Sequence, residues 1–263
     1  MRGSIGCASR RFMDYAVADH IYACATEVGV VVLDARRGKY SIVPSDRARS
    51  LEGVVEGWPA VAVPEIGAAG QTAPSSLLSS LIGGGIVMPV AELSLQHRKL
   101  LRDRELLRGR KQVGILTARK ALLDALSATE KPEIHSRDVA TFFLSVAYAT
   151  AMLKCRPFEA LLLSLRRRKE RSLTGAVTRS IEHLRECVKV FYWLRPFAYA
   201  ESDACLFDSV VLTDFLFRQG VCAEFCIGVR IRPFVAHSWV QTQGVALNDL
   251  PEYLAAYTPI LSV

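Results

Sequence analysis

The stretch ACLFDSVVLTDFLFRQGVCAEFCIGVRIRPFVAHSWVQTQGVALND, residues 204–249, changes its pattern halfway along. In the first half, Val210, Val211, Leu212, Phe215 and Leu216 lie inside a predicted helix. Gly220 ends it, because glycine takes the left-handed conformation of a helix C-terminus without a steric penalty. Ser202 or Asp203 is placed to cap the other end, near Cys205. In the second half, β-branched and aromatic residues predict short strands over 223–230, 235–241 and 245–248, the last two joined by a TQG turn. Helices followed by an antiparallel sheet imply an α+β domain.

Upstream, SRDVATFFLSVAYATAMLKC and PFEALLLSLRRRKE read as apolar helices, the second opening with Pro157 at an N1-like position. TGAVTRSIEHLRECVKVFYWL reads as a third, ending before Pro196. From Leu95 to Ala128 the pattern is helical, basic and amphipathic, with Lys131-Pro132 at its boundary. Nearer the N-terminus, HIYACA, GVVVLD and KYSIVP read as strands, with Gly38 supplying the positive φ of a hairpin loop. Ser45 is expected to cap a helix over 46–57, and Ser75 or Ser76 to start another that Gly83-Gly84-Gly85 stops before IVMP. Three strands with two or three short helices make a small winged-helix-like module. The expected organisation is a tail over 1–14, this module over 15–94, a basic helical linker over 95–131 and an α+β domain over 132–263.

The chain has 263 residues, of which half are hydrophobic, so it has ample surface for packed cores. Its formal charge is +7, concentrated in the runs Arg98–Lys111 and Arg166–Arg171, which read as solvated helix faces. These runs lack interleaved aromatics or a base-reading motif, so no nucleic-acid partner is expected. The N-terminus has no apolar signal region, and the longest greasy runs fall short of the roughly 18 residues of a transmembrane span. Seven scattered cysteines do not form a disulfide framework, and Cys222 and Cys226 lack the further ligands of a zinc site. The expectation is a reduced, cytoplasmic protein without a bound metal.

Three residues carry possible chemistry. Cys205, at a helix N-terminus, feels the positive end of the helix dipole, which favours thiolate over thiol. His237 shares a strand face with Trp239 and Gln241, since side chains alternate along a strand. Asp249 follows the next strand, where a carboxylate can accept the imidazole's other N–H and fix its orientation. Taken singly each has an ordinary explanation: a core cysteine, a structural histidine, a turn aspartate. Their order, helix first and hairpin second, is the one a papain-like or transglutaminase-like thiol site requires.

The segments IGVR, PFVAHSWV and GVALND, in order behind DACLFDSVVLTDFLFRQG, resemble the C-terminal transglutaminase-like domain of lasso peptide biosynthesis B proteins. These are leader peptidases of microcin-J25-type pathways. RPFEALLLSLRRR and YWLRPFAYAESDACL resemble the helical lead-in of the same family. The resemblance implies a thiol peptidase in which Cys205 is the nucleophile, His237 the general base and then acid, and Asp249 the orienting group. It implies a precursor peptide as substrate and an asparagine-synthetase-like cyclase as partner. The peptidase itself needs no cofactor on this reading; any ATP is used by the cyclase, and no GxxxxGKS/T phosphate-binding run occurs here.

GVVVLDARRGKYSIVP resembles the start of a PqqD-like recognition element, which many such B proteins carry in front of the peptidase. In that family the leader adds as a strand to the module's sheet edge. The resemblance implies an edge at Lys39, Tyr40, Ser41, Ile42 and Val43, a helical wall at Leu77, Leu78 and Leu81, and Trp239 as a substrate contact in the peptidase. Two other functions use the same residues. Acyl transfer to an amine, as in transglutaminases, needs the same triad, whereas a catalytically silent leader-binding scaffold would lack one of its members.

Overall fold

The computed structural model describes residues 13–61, 75–95, 97, 98, 101, 131–175, 181–199, 205–242 and 244–263. Most of the expected linker, and the Ser202 or Asp203 cap, lie outside them. The described residues fall into two compact units, one within Met1–Val32 and Ser41–Gly109, the other within Leu33–Tyr40 and Arg110–Val263.

The N-terminal part of the chain contains more strand than its periodicity announces. Strands β2 (Ile21–Thr26), β3 (Gly29–Asp34) and β4 (Lys39–Pro44) form a sheet in the order β2-β3-β4. Two very short strands were not expected. β1 (Tyr15–Val17) lies between β5 (Val55–Glu56), which runs parallel to it, and β6 (Val87–Pro89), which runs antiparallel. The expected helix over 46–57 is only Ser45–Arg49 (α1), and Ser45 is its first residue rather than its cap, with Pro44 before it. Gly53, at φ 71°, turns the chain so that Val55 and Glu56 reach β1. Helix α2 (Ser75–Gly83) ends at the glycine run as expected. Ile21, Val30, Leu51, Val55, Trp58 and Leu81 share one core, and the Trp58 indole donates to Ala48 O at 3.0 Å. Gly29, at φ 142°, is obligatory here: a Cβ would sit 2.2 Å from Val43 O.

The second unit packs helices against one antiparallel sheet. Helices α3 (Ser136–Cys155), α4 (Phe158–Gly175) and α5 (Ile181–Leu194) precede α6 (Cys205–Arg218). Pro157 sits just before α4, accepting from Ala160 N–H at 2.9 Å, rather than within its first turn. Helix α6 is buried almost all round, the signature of a central helix rather than an amphipathic surface one. Phe215 interlocks with Phe142 of α3 and Phe191 of α5 at ring distances of 6.3 and 6.0 Å. The helix stops where Gly220 adopts φ 74° and Val221 N–H returns to Leu216 O at 2.9 Å. Buried Asp214 is neutralised by Arg168 at 2.5 Å and Arg218 at 2.6 Å.

The sheet has the order β10-β7-β8-β9: β7 (Glu224–Arg230), β8 (Val235–Thr242), β9 (Val245–Ala246) and β10 (Thr258–Ser262). Gly228 pairs with His237 and Cys226 with Trp239. Strand β10 and the short helix α7 (Pro251–Leu254) carry no strong periodicity and were not anticipated. Contrary to expectation, one described helix, α3, is long and apolar enough to cross a membrane by length and composition. Its Phe142, Ser145 and Ala149 are buried within the unit.

Candidate active site

Cys205 is the first residue of α6, and its half-buried sulfur faces the His237 imidazole on β8. The strand before Asp249 is shorter than expected: β9 stops at Ala246 rather than 248, and Asp249 lies in the bend that follows. From there its Oδ2 bonds His237 Nε2, while its Oδ1 accepts from Leu250 N–H at 2.8 Å. With Nε2 occupied by the carboxylate, Nδ1 is the ring nitrogen left for the sulfur. The three residues separated by 44 positions of sequence thus meet in one line: sulfur, imidazole, carboxylate.

The charges follow from that line. The hydrogen bond with His237 is the largest influence on Cys205; together with smaller help from the Ser238 peptide and hydroxyl it outweighs burial, bringing the thiol down to about 7. Burial alone would lower the His237 pKa. The bond to Asp249, and then the one to Cys205, more than offset it and hold the imidazole up at about 9. Between those values the resting pair is thiolate and imidazolium, a nucleophile with a proton donor beside it.

The sequence reading missed the groups that hold these residues still. Asn248, next to Asp249, accepts from Val240 N–H at 2.8 Å and donates to Asp208 Oδ2 and Ser209 Oγ, each at 3.1 Å. Asp208 also accepts from Tyr199 OH at 2.9 Å, and Arg195 lies 3.6 Å away. Burial, and then the Asp208 charge, push the Tyr199 pKa up, so the phenol remains a donor. Ser209 donates to Ser238 O at 3.0 Å. Asp208 and Ser209 lie three and four residues after Cys205, one turn along the same helix face. That spacing was visible, but their partners on the strand were not. Tyr253 and Tyr257 flank the His237 ring, each 5.3 Å from its centre, and share a hydroxyl bond of 2.8 Å.

The remaining expected site residues lie elsewhere. Trp239 is a core residue, not a surface contact: it is 4% exposed, packs with Cys226 and Leu254, and donates to Gln241 Oε1 at 3.1 Å. On β4, Lys39, Ser41 and Ile42 are exposed, Tyr40 is half-buried and Val43 buried. Leu77 and Leu78 are half-buried on α2, whereas Leu81 belongs to the core. Among the described residues there is no group of three or more His, Cys, Asp or Glu side chains able to hold a metal.

Residues 143–262, which hold the three aligned side chains, match the transglutaminase-like superfamily. The match covers less than half of the chain. The chain is also similar to the microcin J25-processing protein McjB of Escherichia coli, with 43% identity over 47 residues. That similarity covers 18% of this chain and 23% of the McjB protein, so the chain spans about a quarter of its curated relative. No solved structure matches. Cys205 on α6 and His237 on β8 both lie within the matched residues.

Proposed function

We propose that this protein is a cysteine peptidase that removes the leader from a ribosomally made lasso peptide precursor. The observation that carries the reading is the alignment of Cys205, His237 and Asp249, with the thiol lowered and the imidazole raised. The similarity to a microcin J25-processing protein supports the choice of substrate.

The Cys205 thiolate attacks the scissile carbonyl, and the tetrahedral oxyanion collapses as His237 protonates the departing amine. The leader is left as a thioester on Cys205, and the core peptide leaves with a free N-terminus. Neutral His237, oriented by Asp249, then takes a proton from water, whose oxygen attacks the thioester. Collapse releases the leader carboxylate and restores thiolate and imidazolium. The Cys205 N–H is the proposed oxyanion donor. The freed amine passes to an asparagine-synthetase-like cyclase, which uses ATP to join it to an Asp or Glu side chain.

The segment over 15–94 is proposed as a PqqD-like recognition module. Strand β4 is an edge of its sheet with Lys39, Ser41 and Ile42 exposed, which suits addition of the leader as a further strand beside α2. Tethering the leader raises the effective concentration of the cut site at Cys205. The chemistry needs a reduced thiol; the six described cysteines are all free, in keeping with a cytoplasmic location.

Mass spectrometry of the precursor peptide incubated with the wild-type protein and with Cys205→Ala tests the reading. A single cut by the wild type alone, with the leader mass trapped on Cys205, is the expected result. Amine incorporation without hydrolysis would make the protein an acyl transferase, and binding without any reaction would leave a leader-binding scaffold.

A further inference from the structure

Ser238 follows the histidine of the proposed triad, and its hydroxyl has no evident structural duty. The residue is 3% exposed, and its Oγ is buried without a hydrogen bond of ordinary geometry. Such a group carries a desolvation cost, and in a folded protein it calls for an explanation.

The backbone shows what it faces. Along β8, Val240 N–H reaches Asn248 Oδ1 and Val240 O accepts from Leu247 N–H, so its peptide groups point to the β9 side. Two residues earlier, Ser238 presents its own N–H and C=O to the same side. Strand β9 pairs with Gln241 and Thr242 only, and opposite Ser238 the edge is met by the first turns of α6. Ser209 of that helix donates to Ser238 O at 3.0 Å. Cys205 is one turn N-terminal on the same helix face, which brings its sulfur against the Ser238 peptide and hydroxyl.

We propose that Ser238 is a further catalytic residue, its hydroxyl donating to the Cys205 thiolate alongside the Ser238 N–H. The assignment rests on the proposed role of Cys205 as nucleophile. A thiol is a weak acceptor, so the hydroxyl finds its partner only once the sulfur ionises. Donation to the charged form lowers the pKa of the group that carries the charge. Both Ser238 groups act in that direction on Cys205. Among the described residues, the other ionisable groups around the sulfur are His237 on β8 and, through it, Asp249, with Tyr253 and Tyr257 against the imidazole. Asp208 on α6 is engaged by Tyr199, Asn248 and Arg195.

The test is the pH dependence of Cys205 alkylation by iodoacetamide, read by mass spectrometry, in the wild type, Ser238→Ala and Ser238→Thr. It needs no substrate. The expected result is an ionisation near the value of the wild-type thiol, moved up by about one unit in Ser238→Ala, so that alkylation below that pH slows about tenfold. Ser238→Thr, which keeps the hydroxyl, restores it, and circular dichroism confirms that both variants are folded. An unmoved ionisation in Ser238→Ala overturns the role of Ser238 and leaves the triad standing. A wild-type thiol that ionises like a free cysteine overturns both.

Discussion

Asn248 donates to Asp208 Oδ2 at 3.1 Å, joining the residue before Asp249 to the helix turn that follows Cys205. The same amide reaches Ser209, and its oxygen holds Val240 N–H, so one side chain fixes the bend, the strand and the helix together. Asn248→Ala leaves the 8%-exposed Asp208 short of a donor. The expected loss of stability is about 1–3 kcal/mol, from the desolvation of groups left unpaired. Urea unfolding followed by circular dichroism measures it. Because Asp249 is then held less firmly, kcat of the proposed peptidase should fall further than the folded fraction does.

The pH profile has a definite sign. In the proposed reaction Cys205, lowered to about 7, must be deprotonated to attack, so kcat/KM should rise as pH passes that value. In the same proposed reaction His237, raised to about 9, must be protonated to donate to the leaving amine, so kcat/KM should fall as pH passes that one. The result is a bell whose two limbs belong to the thiol–imidazole pair. Initial rates on a fluorogenic precursor fragment across pH 5.5–10.5, a span of roughly 1.5 units outside each limb, would reveal it. A rate that keeps climbing above the upper limb would refute the imidazolium as acid.

Asp249→Ala removes the carboxylate that raises His237. The upper limb of the bell should move down, and kcat should drop by about 10²-fold or more as the imidazole loses its orientation. An Asp249→Ala enzyme with an unchanged upper limb would mean that another group holds the imidazolium.

Phe215 is fully buried where α3, α5 and α6 meet. Phe215→Ala should cost about 3–5 kcal/mol, the transfer of a large side chain plus the cavity left behind. Guanidinium unfolding gives the value. A loss under about 1 kcal/mol would mean that the three helices close over the gap.

The order of the site was legible because its placement signals are local. A helix opening at Cys205 and stopped by Gly220, and a strand bearing His237, follow from periodicity and glycine position alone. The same is true of β3, β4 and α3, whose bounds coincide with the expected segments. Strands β1, β5 and β10 were missed for the opposite reason. They are two to five residues long and exist because a distant strand pairs with them, Tyr15 with Val55 and Thr258 with Val229. The helix expected over 46–57 has helical spacing throughout, yet pairing of Val55 with β1 draws its second half away.

What the sequence determined by itself, then, is which residue types stand at a helix start, within a strand and after one, since those positions depend on neighbours a few residues away. Tertiary structure alone decided that Asn248 meets Asp208, that Trp239 turns into the core, and that the Ser238 hydroxyl is left facing a sulfur 33 positions back along the chain. Hydrogen bonds of that kind are set by the packing of α6 on β8, and no local pattern encodes the distance between two surfaces that meet only when the chain has folded.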